Sequence, residues 1–412
     1  MARRGGRRVA TISRAAGALV LTPDGLLALE PEEARRSTEL AARIRGQIAA
    51  QGGWLPFSAF MQAALYEPGL GYYMAGGAIF GGAGDFVTAP ELSPLFAGCL
   101  AGAVDALLVA ADGDDVLEFG AGSGRLAAEL VAALARRGRA PRRYRIVEPS
   151  RLLRDRQRSL LERPSPVTTA FEWLDAPPRD AWSGVAIANE VVDALPVDRF
   201  RVTREGCEEI GVAVGEGAFR WQARPASPQI AAAVAALQQR LPVALPPGYV
   251  SELRLGEAAW LREATAALTR GALLAIDYGL PRAQYYHPSR DGGTLCGFRR
   301  HRRVEDPLAA PGAQDLTAWV DFSLLADEAR AVGLEPAGFA TQAHFLLEAG
   351  IEQELARLVQ AAPEGERAAH RQVAATLLLP GEMGERFKVM ALARGIRGPF
   401  HGFGFRDLGA SL

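Results

Sequence analysis

"VLEFGAGSGR", Val116–Arg125, decides the fold. Four residues with strand character, Val116–Phe119, run into three alternate glycines, Gly120, Gly122 and Gly124. A strand that ends in such a turn and leads into "GRLAAELVAALARRG", an amphipathic helix, is the start of a strand–helix–strand unit. Glycines at this turn let the backbone approach a ligand closely and leave N–H groups facing it. The sixth position of a dinucleotide fingerprint would be glycine, but it is Arg125 here, so a dehydrogenase reading is disfavoured. Working outward, "RRYRIVEPS" is a second strand, "RLLRDRQRSLLER" its helix, "SGVAIANEVVDALP" a third clear strand and "GALLAIDYG" a fourth. The alternation predicts an α/β fold: a mostly parallel twisted sheet with helices on both faces.

An acid, Glu118, stands two residues before Gly120. E-x-G-x-G-x-G after a strand resembles the pattern of class I S-adenosylmethionine (SAM) methyltransferases. Glu148 ends the second strand, 24 residues after Gly124. A carboxylate there can accept both ribose hydroxyls of a nucleoside. The alternative is a tight turn with Glu148 capping the next helix. Glu118 either contacts the cofactor or hydrogen-bonds the loop backbone. In "WLDA", Asp175 is placed to meet an adenine amino group beside Trp173; a surface turn with a buried Trp explains it equally well.

"IANEVVDALPVDRF" ends a buried strand with Asn189, Glu190 and Asp193, followed by Pro196. Carboxylates at that edge are costly unless solvated or paired. As structure, Asp193 would cap a helix. As function, the pair would hold a cationic acceptor such as a guanidinium, whose fork of donors fits carboxylates. Asp277 and Tyr278 end another strand at the same edge, as site or as support. Tyr72 and Tyr73 read as adenine stacking or as packing. "RRHRR", with His301, reads as a solvated basic loop rather than a nucleic-acid patch.

The chain of 412 residues suits two domains or one large domain with insertions. Its net charge of −1 argues against nucleic acid and anionic membranes as partners. Its basic residues are arginines apart from Lys388. Cys99, Cys207 and Cys296 are sparse and unclustered, and no HExxH spacing occurs, so no metal site is expected. The chain reads as having no run of about 18 apolar residues, so no membrane span is expected. The predicted layout is a flexible tail over 1–33, a helical region over 34–110, a core over 111–400 with insertions near 197–250 and 280–320, and a tail over 401–412. The Arg-rich start reads as a plain disordered terminus, with a mitochondrial transit peptide as the alternative.

"ALYEPGLGYY", "GDFVTAPELSPLF", "VLEFGAGSGRLA", "ANEVVDALPVDRF", "AIDYG", "PGAQDLTAWVDFSLLA" and "ERFKVMALARG" occur in this order. Together they resemble the MidA-like family of SAM-dependent methyltransferases, from about residue 38 to about 400. The resemblance implies a Rossmann-like core with extra N-terminal helices and inserted elements, SAM as cofactor and S-adenosylhomocysteine as product. It implies a protein acceptor too, since the mitochondrial member is a complex I assembly factor that dimethylates an arginine on a respiratory complex subunit. Carried over, Gly120, Gly122, Gly124 and Glu148 would bind SAM. Asn189, Glu190 and Asp193 would line the methyl-transfer site, and Asp85, Thr88, Pro90 and Glu91 would close over it. Asp85 and Thr88 would shape that loop or touch the methionine part; Glu91 would face the acceptor or cap the next helix. Val191-Val192 departs from the family's NE-F-F-D form. A bacterial member would be cytoplasmic, or in the mitochondrial matrix if the start is a transit peptide, and a homodimer is compatible with it. The competing readings are a small-molecule methyltransferase and a non-enzymatic assembly chaperone on the same scaffold.

Overall fold

The computed structural model describes residues 19–22, 25–75, 88–164, 166–300 and 302–412. The core strands are β1 (Asp115–Phe119), β2 (Arg143–Val147), β3 (Ala170–Leu174), β4 (Trp182–Asn189), β5 (Leu268–Leu280), β6 (Glu335–Thr341) and β7 (Phe387–Arg394). Their order across the sheet is β3-β2-β1-β4-β5-β7-β6. β1 to β5 are parallel, and β7 runs antiparallel between β5 and β6. Phe119 pairs with Val147 on one side and with Ala188 on the other. The C-terminal ends of β1, β2 and β4 are therefore level, and the loops that follow them open on one edge.

The helices that matter to the site are α1 (Pro31–Ala50), α2 (Phe57–Tyr66), α3 (Pro94–Ala111), α4 (Arg125–Arg136), α5 (Arg151–Leu161) and α6 (Phe322–Ala331). One sheet face buries Val116, Ile146, Val185 and Ile276 against Leu100, Val104 and Leu107 of α3 and Leu130 and Leu134 of α4. The opposite face buries Leu117, Ala186, Leu273 and Met390 against Phe322 and Leu325 of α6. Burial on both faces explains why β4 and β5 read as continuous apolar runs. Each buried leucine contributes about 1.5–3 kcal/mol.

α3 corrects one expectation from the sequence. Its 18 residues are apolar and long enough to cross a membrane, with Asp105 as the only charge, yet 67% of the helix is buried inside the fold. It is packed on the sheet and on α4. The stretches expected as tails also carry structure. Leu19–Thr22 pairs with Gly25–Ala28, and α1 begins at Pro31. Residues 401–412 lie against β6: Leu408 N–H donates to Phe339 O at 2.6 Å, and Asp407 accepts from Phe339 N–H at 3.1 Å.

The first insertion forms an antiparallel sheet of Asp198–Val202, Cys207–Gly215, Ala218–Pro225 and Val250–Leu253. Leu55–Pro56, just before α2, pairs with it. α1 and α2 pack there through Leu40, Ile44, Phe57 and Phe60. The second insertion contains a three-stranded sheet, Cys296–Arg299, Arg302–Val304 and Asp315–Thr317. Arg299 and Arg300 of "RRHRR" pair with Glu33 and Glu30 at the start of α1; His301 lies outside the described residues. That basic run is thus engaged in structural ion pairs.

Candidate active site

The level strand ends open into a cavity of about 570 Å³, within the usual size range for small-molecule sites. Gly120 and Gly122 line it, with φ of +60° and +55°, a region where a side chain would be strained. Gly124 lies just behind the wall, at the N-terminus of α4. A Cβ there would sit 3.3 Å from Gln157 Cγ, so this glycine lets α4 pack closely on α5.

Glu148 lines the same cavity and is 3% exposed. Ser150 N–H donates to Glu148 Oε1 at 3.0 Å and Gln157 Nε2 to Glu148 Oε2 at 3.3 Å. Burial pushes its pKa up to about 7, against the lowering effect of those two donors. Gln157 Nε2 also donates to Gly122 O at 3.0 Å, and Trp173 Nε1–H donates to Gln157 Oε1 at 2.9 Å. One amide thus joins the glycine loop, the Glu148 carboxylate and the third strand. Glu118 lines the cavity as well; Tyr144 O–H donates to it at 2.7 Å, and burial raises its pKa to about 7.

Asp175 is not brought to the cavity. Its side chain is 93% exposed and pairs with Arg154 at 2.6 Å. An exposed carboxylate keeps its hydration beside a guanidinium, which the cavity would not offer. Trp173, the neighbour weighed with it, reaches the site only through Gln157.

Thr88, Pro90 and Glu91 line the cavity; Asp85 lies outside the described residues. The Glu91 carboxylate accepts a hydrogen bond from Ser123 Oγ, in the glycine loop. Ser123 Oγ in turn accepts from Arg125 N–H at 3.2 Å. Glu91 therefore stands at the glycine loop. The helix cap is Ser93, whose Oγ accepts from Leu95 N–H at 3.2 Å.

Beside the glycine loop, where a Cβ on Gly120 would meet Val191 Cγ2 at 3.5 Å, the Asn189–Asp193 turn forms the second wall. Asn189 Nδ2 donates to Glu190 Oε1 at 3.3 Å. Asn189 Oδ1 is buried with no partner among the described residues. Glu190 has φ +54°, a strained conformation for a non-glycine residue. Burial first, and then the nearby Asp193, raise the Glu190 pKa to about 8. Burial raises Asp193 to about 6, with Arg254 opposing it. Asp277 is fully buried behind the turn and accepts from Val192 N–H at 3.0 Å and Asp193 N–H at 3.1 Å. It is a support of the loop and does not line the cavity.

Two tyrosines complete this wall. Tyr66 and Tyr73 stack with ring centroids 5.6 Å apart. Tyr66 O–H donates to Ala194 O at 3.0 Å, and Tyr73 O–H to Asp315 Oδ1 at 2.9 Å. Tyr72 is buried, edge-on to Tyr73. Tyr66, Asp315, Ser123 and Gln157 escaped the sequence reading. For Gln157 a signal existed: on α5 the buried positions are Leu153, Gln157 and Leu161, so a polar residue occupies an apolar stripe. Asp315 lay inside the "DLTAWVDF" block. Nothing local marked Tyr66 or Ser123.

Residues 105–340 match the model of a family described as "Putative S-adenosyl-L-methionine-dependent methyltransferase". The chain belongs to this methyltransferase family. The mouse protein named protein arginine methyltransferase NDUFAF7, mitochondrial, is 30% identical over 398 residues, covering 88% of this chain and 86% of its own. The Drosophila melanogaster homolog of that name is 28% identical over 389 residues, covering 87% and 85%. Among solved structures, a Burkholderia thailandensis superfamily member bound to S-adenosyl-homocysteine superposes with a TM-score of 0.87 at 41% identity. The match covers 93% of this chain and 99% of that one.

The cofactor of this methyltransferase is therefore SAM, and its own residues fit it. The positive-φ glycines give a backbone cradle, and Glu148 offers a buried, prepositioned acceptor to a nucleoside sugar. Glu91 and Glu118 line the same cavity, Glu91 in contact with the glycine loop through Ser123.

Proposed function

We propose that this methyltransferase acts on an arginine side chain of a protein. The observation that carries the proposal is the acidic lining of the cavity. Glu91, Glu118, Glu148, Glu190, Asp193, Glu263 and Asp315 line it, and among the described residues no Arg, Lys or His does. Glu91, Glu118 and Glu148 lie at the glycine loop and the end of β2, where the cofactor is expected. Glu190, Asp193 and Asp315, beside two tyrosine rings, suit a planar cation: carboxylates pair with its N–H fork and ring faces accept its charge.

When bound, SAM supplies a methyl group activated on a sulfonium. This chain has to align acceptor and donor and exclude water. Glu190 and Asp193 orient the guanidinium by accepting its N–H groups. A guanidinium beside Glu190 favours the ionised carboxylate, so acceptor binding releases a proton from the protein. The ionised Glu190 then receives the proton that the methylated nitrogen gives up. The relatives named protein arginine methyltransferase support this acceptor class. The two insertions and the N-terminal helices, which frame the acceptor wall, favour a macromolecular acceptor, with a respiratory-complex subunit as the candidate. We place the reaction in the cytoplasm; the relatives' mitochondrial names make the matrix the second reading.

The test is transfer of labelled methyl groups from SAM into lysate proteins, with hydrolysis of the labelled bands. Label recovered as N-methylarginine supports the proposal. Label in small molecules alone, or in another amino acid, overturns it.

A further inference from the structure

Arg254 follows the strand Val250–Leu253 of the first insertion and is 4% exposed. It does not line the cavity. Its guanidinium nonetheless reaches the Asn189–Asp193 turn and the Ala318–Trp319 segment that follows Asp315. Nη1 donates to Val192 O at 2.6 Å, Nε to Trp319 O at 3.1 Å and Nη2 to Trp319 O at 2.9 Å. Nη2 also donates to Ala318 O, while Ala318 N–H donates to Asp193 O at 3.0 Å. From the other side Asp277 holds Val192 N–H and Asp193 N–H. The turn that carries Glu190 and Asp193 is thus gripped at its N–H groups by an acid and at a carbonyl by an arginine from another element.

The charges follow the same geometry. Half-buried Glu190 and buried Asp193 and Asp277 are three acids within one turn and the strand end behind it. Arg254 draws Asp193 and Asp277 toward their ionised forms. Behind it stand Glu257, 3.9 Å from Nε, and Glu328, with Tyr285 and Tyr286 packed nearby. Both Glu257 oxygens lack a hydrogen-bond partner among the described residues, so the short directional bonds of Arg254 all point at the wall.

We infer that Arg254 is the positioning residue of the acceptor wall, locking the Val192–Asp193 backbone to Ala318–Trp319 and serving as internal counter-cation to Asp193 while the acceptor is absent. The inference rests on the acceptor-side reading of the Asn189–Asp193 turn, but its test needs no acceptor. A buried carboxyl whose folded pKa exceeds its unfolded value stabilises the fold at low pH and loses that contribution as pH rises. For Asp193 the loss runs from the ordinary 3.8 to about 6. Without Arg254 it extends to higher pH, by roughly one unit or more.

The experiment follows the unfolding midpoint of the full chain from acid to mildly alkaline pH, for wild type, R254M and R254K, with and without S-adenosylhomocysteine. R254M is expected to fall progressively further below wild type as pH rises. R254K, which keeps a charge and loses the fork, is expected between them. Both are expected to keep the midpoint rise caused by S-adenosylhomocysteine. A midpoint lowered equally at every pH overturns the inference, since a purely structural role has no proton dependence. If R254M folds at no pH, R254K decides by the same criterion: a gap from wild type that widens with pH supports the role, and a constant gap overturns it. Failure of the arginine-acceptor proposal leaves these curves unchanged, so the two can fail separately.

Discussion

Gln157 and Glu148 share a hydrogen bond of 3.3 Å, and the same Gln157 amide holds Gly122 O at 3.0 Å. Glu148 and the glycine loop are therefore held by one buried residue of α5. Gln157→Leu keeps the volume of the packed side chain and removes both bonds. S-adenosylhomocysteine affinity should fall by about 10-fold, at ~1–1.5 kcal/mol for lost hydrogen bonds. Calorimetric titration checks it; unchanged affinity would mean that the loop and Glu148 hold themselves.

Glu148→Ala removes the carboxylate that we propose as the ribose acceptor. S-adenosylhomocysteine should raise the wild-type melting temperature through linkage, and the variant should lose most of that rise. A variant that keeps the full shift at millimolar ligand would displace Glu148 from the cofactor site.

Glu91 and Ser123 join the upstream segment to the glycine loop. Their removal should be coupled. Affinities for S-adenosylhomocysteine of Glu91→Gln, Ser123→Ala and the double variant should give an interaction energy of about 1 kcal/mol. Strict additivity would show that the contact contributes nothing to binding.

Glu190 gives a pH prediction with a definite sign. Its folded pKa, about 8, lies above the ordinary 4.5. Between these values the folded chain binds more protons than the unfolded chain, so stability falls as pH rises. Glu190→Gln mimics the protonated acid and should flatten that fall, making the variant more stable than wild type near pH 8. It should also keep S-adenosylhomocysteine binding and lose methyl transfer. Retained turnover would remove Glu190 from the chemistry.

Asp277 separates loop support from charge. Asp277→Asn keeps a carbonyl oxygen able to accept Val192 N–H and Asp193 N–H, and should stay close to wild type in stability. Asp277→Leu strands both buried donors and should cost about 2–6 kcal/mol, at ~1–3 kcal/mol for each unsatisfied group. Denaturant unfolding at matched pH distinguishes them; equal stabilities would show that the two N–H groups find other partners.

Much of this was legible along the chain. The alternation of apolar runs with amphipathic helices specified a parallel sheet covered on both faces, because burial imposes those periods on local sequence. The glycine turn with Glu118 and Glu148 pointed to the cofactor, and "NEVVDALP" marked the second wall, since buried acids at a strand end stand out from their surroundings. α3 was read as a helix, but its passing resemblance to a membrane span is resolved only by the sheet and α4 that cover it.

Other features depended on which distant segments meet. Glu91 could face acceptor, helix or loop until the fold set it beside Ser123. Asp175 and Trp173 are two residues apart in sequence, yet only Trp173 is tied to the site, through Gln157. Tyr66 and Tyr73 come from the N-terminal helical region and Asp315 from the second insertion, and they gather because Leu55–Pro56 pairs with the first inserted sheet and Tyr73 bonds the second. The sequence by itself determined the elements, the cofactor loop and the acidic turn, because these follow from local periodicity and from the cost of burying charge. Tertiary structure decided which acids share the cavity and which segments meet at Arg254, because hydrogen bonds across scores of residues obey register and packing, which no local pattern records.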